Sequence, residues 1–230
     1  MSLEPVSPAL ASQGFRKMLG KLDRRLFPEQ GVALTGVLQR EIGQECSSLL
    51  DVGCGDQGAL PERVPGLPFT VGVDLALPAD DADLARHSEY RQVDIRSLSD
   101  HFESGQFECV VALDVIEHLT REESVQLLEA MERIASKRVI VFTPNGFLPQ
   151  APTQSNPHQE HRSGWTVDDL ARRGYRVIGI NGWRPLRGPY AEIRWRPRSF
   201  WLRFSALTEP FATRHPRSAF QLFGVKDVDR

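Results

Sequence analysis

The chain is poor in cysteine, has no long apolar run and carries almost no net charge. Cys46, Cys54 and Cys109 are its three cysteines among 230 residues, with no CxxC spacing. That argues against a disulfide frame and a zinc cluster, and for a reducing compartment. No apolar stretch approaches the ~18 residues that a spanning helix needs. The opening MSLEPVSPAL lacks the basic and apolar regions of a secretory signal, so the expected location is the cytoplasm. A formal net charge of −2 gives no general pull toward a large nucleic acid. Neither an internal repeat nor a low-complexity tract is visible. With 40% hydrophobic and 25% charged residues, the composition is that of a soluble globular chain. The length suits one α/β domain with room for an insertion.

The chain is organised around residues 49–75. Leu49-Leu50-Asp51-Val52 is a short apolar run that reads as a buried strand. Gly53, Gly55 and Gly58 follow it, and glycine lets a ligand approach the main chain closely. A second apolar strand, Phe69 to Val73, ends on Asp74. In a parallel α/β sheet ligands bind outside the carboxyl ends of such strands. A carboxylate there accepts from two hydroxyl donors, as a ribose presents them. As letters, Gly53-x-Gly55-x-x-Gly58 also matches the dinucleotide fingerprint. Asp51 speaks against a pyrophosphate, which an anion beside the turn would repel. It suits a sulfonium donor that carries an ammonium group. Pro61 and Pro65 leave no room for a long helix directly after the glycines.

Residues 1–29 read as a flexible lead-in followed by a basic amphipathic helix. In it Phe15, Met18, Leu19, Leu22 and Leu26 repeat at helical spacing, with Arg16, Lys17, Lys21, Arg24 and Arg25 on the other face. The remainder, 30–230, reads as one domain. A helix is expected over Val32–Ile42 and a third strand over Tyr90–Ile95. The continuous apolar run Phe107–Asp114 reads as a buried parallel fourth strand. Thr120 with Glu123 makes a capping box for a helix to about Ser136, and a fifth strand covers Arg138–Phe142. Thr166 with Asp169 caps a short helix. Further strands are expected at Tyr175–Ile180 and Ala219–Lys226. Strand–helix alternation of this kind calls for right-handed crossovers and a doubly wound sheet.

The ordered set DVGCG, VGVDL, VDI and VALDVIEHL, with VFTPNG after it, resembles the class I S-adenosylmethionine-dependent methyltransferases, of the small-molecule kind. The resemblance covers roughly residues 30–180 and the final strand. It implies an α/β fold with a doubly wound, seven-stranded, mostly parallel sheet and an antiparallel last strand, and S-adenosyl-L-methionine as cofactor. By position it implies that Asp51, Gly53 and Gly55 order the glycine turn and meet the methionine end. Asp74 and Leu75 would take the ribose, Asp94 and Ile95 the adenine. Asp114 and Val115 would border the donor methyl.

Methyl transfer from a sulfonium needs mainly alignment and exclusion of water. A general base is required only where the acceptor must lose a proton. His118, His158 and His161 are the candidates, each placed by this topology near the carboxyl edge of the sheet. No metal is expected. A sharper alternative stays open, because Asp114-x-x-Glu117-His118 with a later His158 or His161 resembles the divalent-cation pattern of small-RNA 2′-O-methyltransferases. A nicotinamide dehydrogenase and a non-catalytic methyltransferase-like binding module also stay open.

Residues 181–218 are too long for a turn between the last two strands. This insert interleaves arginines with tryptophan and phenylalanine. Arginine stacks on aromatics and grips phosphate or carboxylate in a fork. The insert therefore reads as a cap over an anionic small-molecule or glycan-type acceptor, as a peripheral membrane contact, or as a cap whose aromatics form its own small core. The oligomeric state is not legible.

Overall fold

The computed structural model describes residues 31–42, 46–55, 60, 67, 69–76, 86–152, 159–188 and 191–228. The expected helix at Gln13–Phe27, Gly58, Pro61, Pro65 and His158 lie outside these residues.

Seven strands form one sheet: β1 (Ser48–Val52), β2 (Phe69–Asp74), β3 (Glu89–Gln92), β4 (Phe107–Leu113), β5 (Ala135–Pro144), β6 (Arg176–Trp183) and β7 (Ala219–Asp227). Their order is β3-β2-β1-β4-β5-β7-β6. The first five run parallel, and β7 is antiparallel to both β5 and β6. This is the doubly wound sheet expected, with the last strand inserted against the grain. The helices are α1 (Gly31–Ile42), α2 (Leu98–His101), α3 (Arg121–Ile134), α4 (Val167–Arg172) and α5 (Arg198–Arg214).

The central strands are apolar on both faces because both are covered. Leu50, Val52, Val110, Ala112, Val139 and Val141 pack with Leu127, Leu128, Met131 and Ile134 of α3. The alternate residues Leu49, Cys109, Val111, Ile140 and Phe142 pack with Leu34, Leu38 and Ile42 of α1. Both expected capping boxes are present: Thr120 accepts from the Glu123 amide while Glu123 accepts from that of Thr120, and Thr166 and Asp169 do the same.

Several boundaries differ from expectation; β6, for one, runs on to Trp183. β3 ends at Gln92 because the Asp94 side chain caps a single 3-10 turn, Ile95–Ser97, which turns the chain out of the sheet. β5 runs on to Pro144 because β7 offers it a partner there, pairing Thr143 with Leu222 and Pro144 with Gln221. The carboxyl ends of β1, β2, β4, β5 and β6 therefore share one edge with the start of β7. The 184–218 insert leaves and returns at that edge.

Candidate active site

The glycine turn after β1 is held from β2. The amides of Gly53 and Cys54 both donate to the Val73 carbonyl, at 2.8 and 3.1 Å. The Gly55 amide donates to Asp74 Oδ2 at 2.9 Å, and that of Ala76 to Asp74 Oδ1 at 3.1 Å. Gly53 sits at φ 73°, where a Cβ would stand 2.6 Å from Val115 Cγ2. The first glycine thus faces the residue after β4 across the crevice, and no other side chain fits.

Asp51 is buried beneath this turn. Its Oδ2 lies 3.2 Å from His87 Nε2, and both side chains are almost wholly buried. Burial pushes the Asp51 carboxyl above its ordinary range, against the pull of the His87 hydrogen bond and charge. Among the described residues the amides of the turn are held by Val73 and Asp74, and Asp51 by His87. Leu75 is exposed just past Asp74. Asp94 accepts from the Arg96 amide and from its guanidinium, at 2.6–3.1 Å. Ile95 is partly buried against the core.

After β4 the backbone turns sharply, with Asp114 at φ 54°. Its amide donates to the Phe142 carbonyl, and its Oδ1 accepts from Gln221 Nε2 at 3.0 Å. Burial raises the Asp114 carboxyl to about 7, opposed by hydrogen bonds from Gln221 and Glu117. Glu117, wholly buried, is pushed well above its ordinary range by burial and then by the Asp114 charge. A hydrogen bond joins the two carboxyls, so the charge of one opposes ionisation of the other. Thr143 Oγ1 donates to Glu117 Oε2 at 3.0 Å.

His118 and His161 meet edge to face, their ring centroids 4.8 Å apart. Nδ1 of each ring lies on a backbone carbonyl, that of Glu160 at 3.1 Å and of Leu148 at 2.7 Å. Burial holds both imidazoles below their ordinary range, so both are neutral at pH 7. The loop bearing His161 is tied down by Arg162 and Ser163 amides donating to the Glu117 carbonyl. One carboxylate oxygen of Glu117 and one nitrogen from each ring lie within 4.8 Å of one another.

Residues 50–143 match the family model described as a methyltransferase domain. That segment runs from β1 to β5 and holds every expected donor-site residue. Over residues 50–143 the chain carries a methyltransferase domain of the class I S-adenosylmethionine-dependent kind. S-Adenosylmethionine is its cofactor. No curated protein sequence matches it. Solved structures share its fold at low identity. The 1,6-didemethyltoxoflavin-N1-methyltransferase of Burkholderia thailandensis is 15% identical, with TM-score 0.53, over 100% of this chain and 94% of that one. The [4+2]-cyclase SpnF is 16% identical, with TM-score 0.56, over 86% and 80%. The small RNA methyltransferase HEN1 is 16% identical, with TM-score 0.53, over 88% of this chain but 26% of its own. With a cyclase among them, these likenesses show the fold, and the family match carries the activity.

In this methyltransferase several residues of the site had escaped the sequence reading. Gln221 reaches Asp114 from β7, and its Oε1 accepts from Asn181 Nδ2. A glutamine inside the apolar run AFQLFGV was the signal for it. Arg187 appeared as one of many surface arginines. It is buried, donating to the Asn181 and Ala191 carbonyls at 2.8 Å each and to Ser205 Oγ at 3.2 Å. His87 gave no signal, being a lone histidine ahead of a strand.

Proposed function

We propose that this methyltransferase moves the donor methyl by in-line displacement to the oxygen or nitrogen of an anionic small-molecule or glycan/lipid-linked acceptor. The observation that carries the acceptor class is Arg184. Its guanidinium lies over Gly146 at the end of β5, 3.2 Å from where a Cβ there would stand, so a cation borders the edge on which the donor residues converge. In this reading Asp51 and the amides around Gly53 and Gly55 meet the methionine end. Asp74 and Leu75 take the ribose, Asp94 and Ile95 the adenine, and Asp114 and Val115 border the methyl. A screen with labelled methyl donor tests the acceptor. Phosphorylated or nucleotide-linked sugars should accept methyl and lose rate in Arg184→Ala, whereas turnover of neutral acceptors alone would overturn the class.

Three further results are expected. Gly53→Ala should weaken S-adenosylhomocysteine binding ~10-fold or more, because the methyl meets Val115 and the left-handed φ disfavours alanine; unchanged affinity in calorimetry would remove Gly53 from the site. For an acceptor hydroxyl the proton goes to the Asp114–Glu117 pair or to the neutral His118 and His161. With Asp114 at about 7, kcat/KM should rise through neutral pH and the rise should disappear in Asp114→Asn. Stability should move the opposite way. Asp114 holds its proton more tightly folded than at its ordinary 3.8. Its contribution is therefore complete below that value and is lost as pH rises through about 7. The melting temperature should fall from pH 5.5 to 8.5 (roughly the window of the raised carboxyl) by less in Asp114→Asn than in wild type.

Glu117, His118 and His161 support a second reading, a divalent cation. The donor set and the carbonyl-anchored Nδ1 atoms fit one. The spacing fits less well, since ligands ~2.1 Å from an ion stand at most ~4.2 Å apart and these reach 4.8 Å. Their neutral imidazoles would bind the ion and their carboxylate would balance its charge. Titration with Mn²⁺ should show a site lost in His161→Ala if this reading holds; no heat of binding and no metal-dependent turnover would exclude it.

A further inference from the structure

The insert helix α5 carries an apolar stripe on its solvent side. Phe200, Phe204, Leu207 and Phe211 are all exposed, Leu207 to 71%. Spacings of four, three and four residues place them on one helix face, over ~16 Å. The opposite face is the packed one. Ser205 and Ala212 are buried there, and a Cβ on Gly179 of β6 would come within 2.1 Å of the Ala212 carbonyl oxygen. The helix packs through small residues and turns Phe200, Phe204, Leu207 and Phe211 outward.

Arginines dominate the charge around the stripe; the exposed acid near it, Glu192, pairs with Arg198 at 3.1 Å. Arg203 and Arg214 lie beside it on the helix, and Arg194 and Arg196 stand on the segment leading in. The single acid of α5, Glu209, is turned inward and accepts from the Asn181 amide at 3.0 Å. Trp195, Trp201 and the rings of Phe200 and Phe204 cluster at the amino end, with centroids 5.1–5.8 Å apart. An apolar stripe flanked by arginine and edged by tryptophan matches the boundary between acyl chains and anionic headgroups. A second copy of the chain fits poorly, because an isologous contact would set arginines against arginines.

We infer that the outer face of α5 docks on an anionic lipid surface. The inference does not depend on which acceptor is methylated.

The test uses the full chain with vesicles of phosphatidylcholine alone and with about one-third phosphatidylglycerol. Flotation should show binding to the anionic vesicles only, with a blue shift of tryptophan emission, and release in about 0.5 M salt. The pairs Phe204→Ser with Leu207→Ser, and Arg203→Glu with Arg214→Glu, should each lower vesicle affinity ~10-fold or more. Both should keep wild-type circular dichroism and S-adenosylhomocysteine affinity. Equal binding to neutral vesicles, no binding to either, or wild-type binding by both variants would overturn the inference. So would a dimer that the serine pair dissociates, or retention on an RNA column lost in the same variants.

Discussion

Replacing Asp74 with alanine is expected to raise the dissociation constant for S-adenosylhomocysteine ~100-fold or more. Two losses combine. A ribose would give up two hydrogen bonds to a carboxylate, each worth about 1.5–3 kcal/mol. The Gly55 and Ala76 amides would also lose their acceptors, so the glycine turn loosens as well. Asp74→Asn should fall between, since its carbonyl oxygen can still take one of those amides. Calorimetry on the three proteins, with NAD as a control ligand, makes the comparison. Wild-type affinity in the alanine variant would put the ribose elsewhere, and binding of NAD would revive the dinucleotide reading of the glycines.

What could be read in advance follows a physical division. β1, β2 and β4 were legible because a strand buried on both faces must be almost purely apolar, and few other elements look like that. The helices α3 and α4 were legible at their starts, where Thr120 with Glu123 and Thr166 with Asp169 satisfy amides that a helix leaves open. The glycine turn and the acids after β2 and β4 were placed correctly for the same reason: strand ends mark themselves in sequence. Side-chain partnerships between distant segments were not legible. Asp51 with His87 and Asp114 with Gln221 join residues 36 and 107 positions apart in the chain. No local pattern encodes which of several polar residues a buried carboxylate will meet. Composition left the insert open between a cap core, an anionic acceptor and a membrane contact, because ring content alone does not say which way a helix faces. Lying close over Gly179, α5 turns small residues inward and its large ones point out.

The same insert contains a buried arginine that ties its parts together. Arg187 links three separate backbone segments: its guanidinium donates to the Asn181 and Ala191 carbonyls and to Ser205 on α5. It also lies near Glu209, whose carboxyl is pushed up by burial while the Asn181 and Gly182 amides and the Arg187 charge pull it back. Burial in turn lowers the Arg187 pKa, with Glu209 opposing that shift. Asn181 is itself bonded to Gln221, and Gln221 to Asp114, so α5 is joined to the cleft through a continuous polar chain. Arg187→Met keeps the bulk and removes the donors. Two buried carbonyls and a partly buried acid then stand without their cation, at a cost of about 3 kcal/mol, or roughly 6–12 °C in melting temperature for a chain of this size. Arg187→Met with Glu209→Gln should recover part of that loss, because the acid left behind is no longer charged. A melting temperature within about 2 °C of wild type, or no coupling between the two positions, would show that Arg187 is merely tolerated where it lies. The polar chain also makes a functional prediction in the same variant. With Asn181 released, Gln221 loses its orientation, and the pH at which kcat/KM rises should move upward in Arg187→Met, because Asp114 gives up a hydrogen bond that favours its charged form.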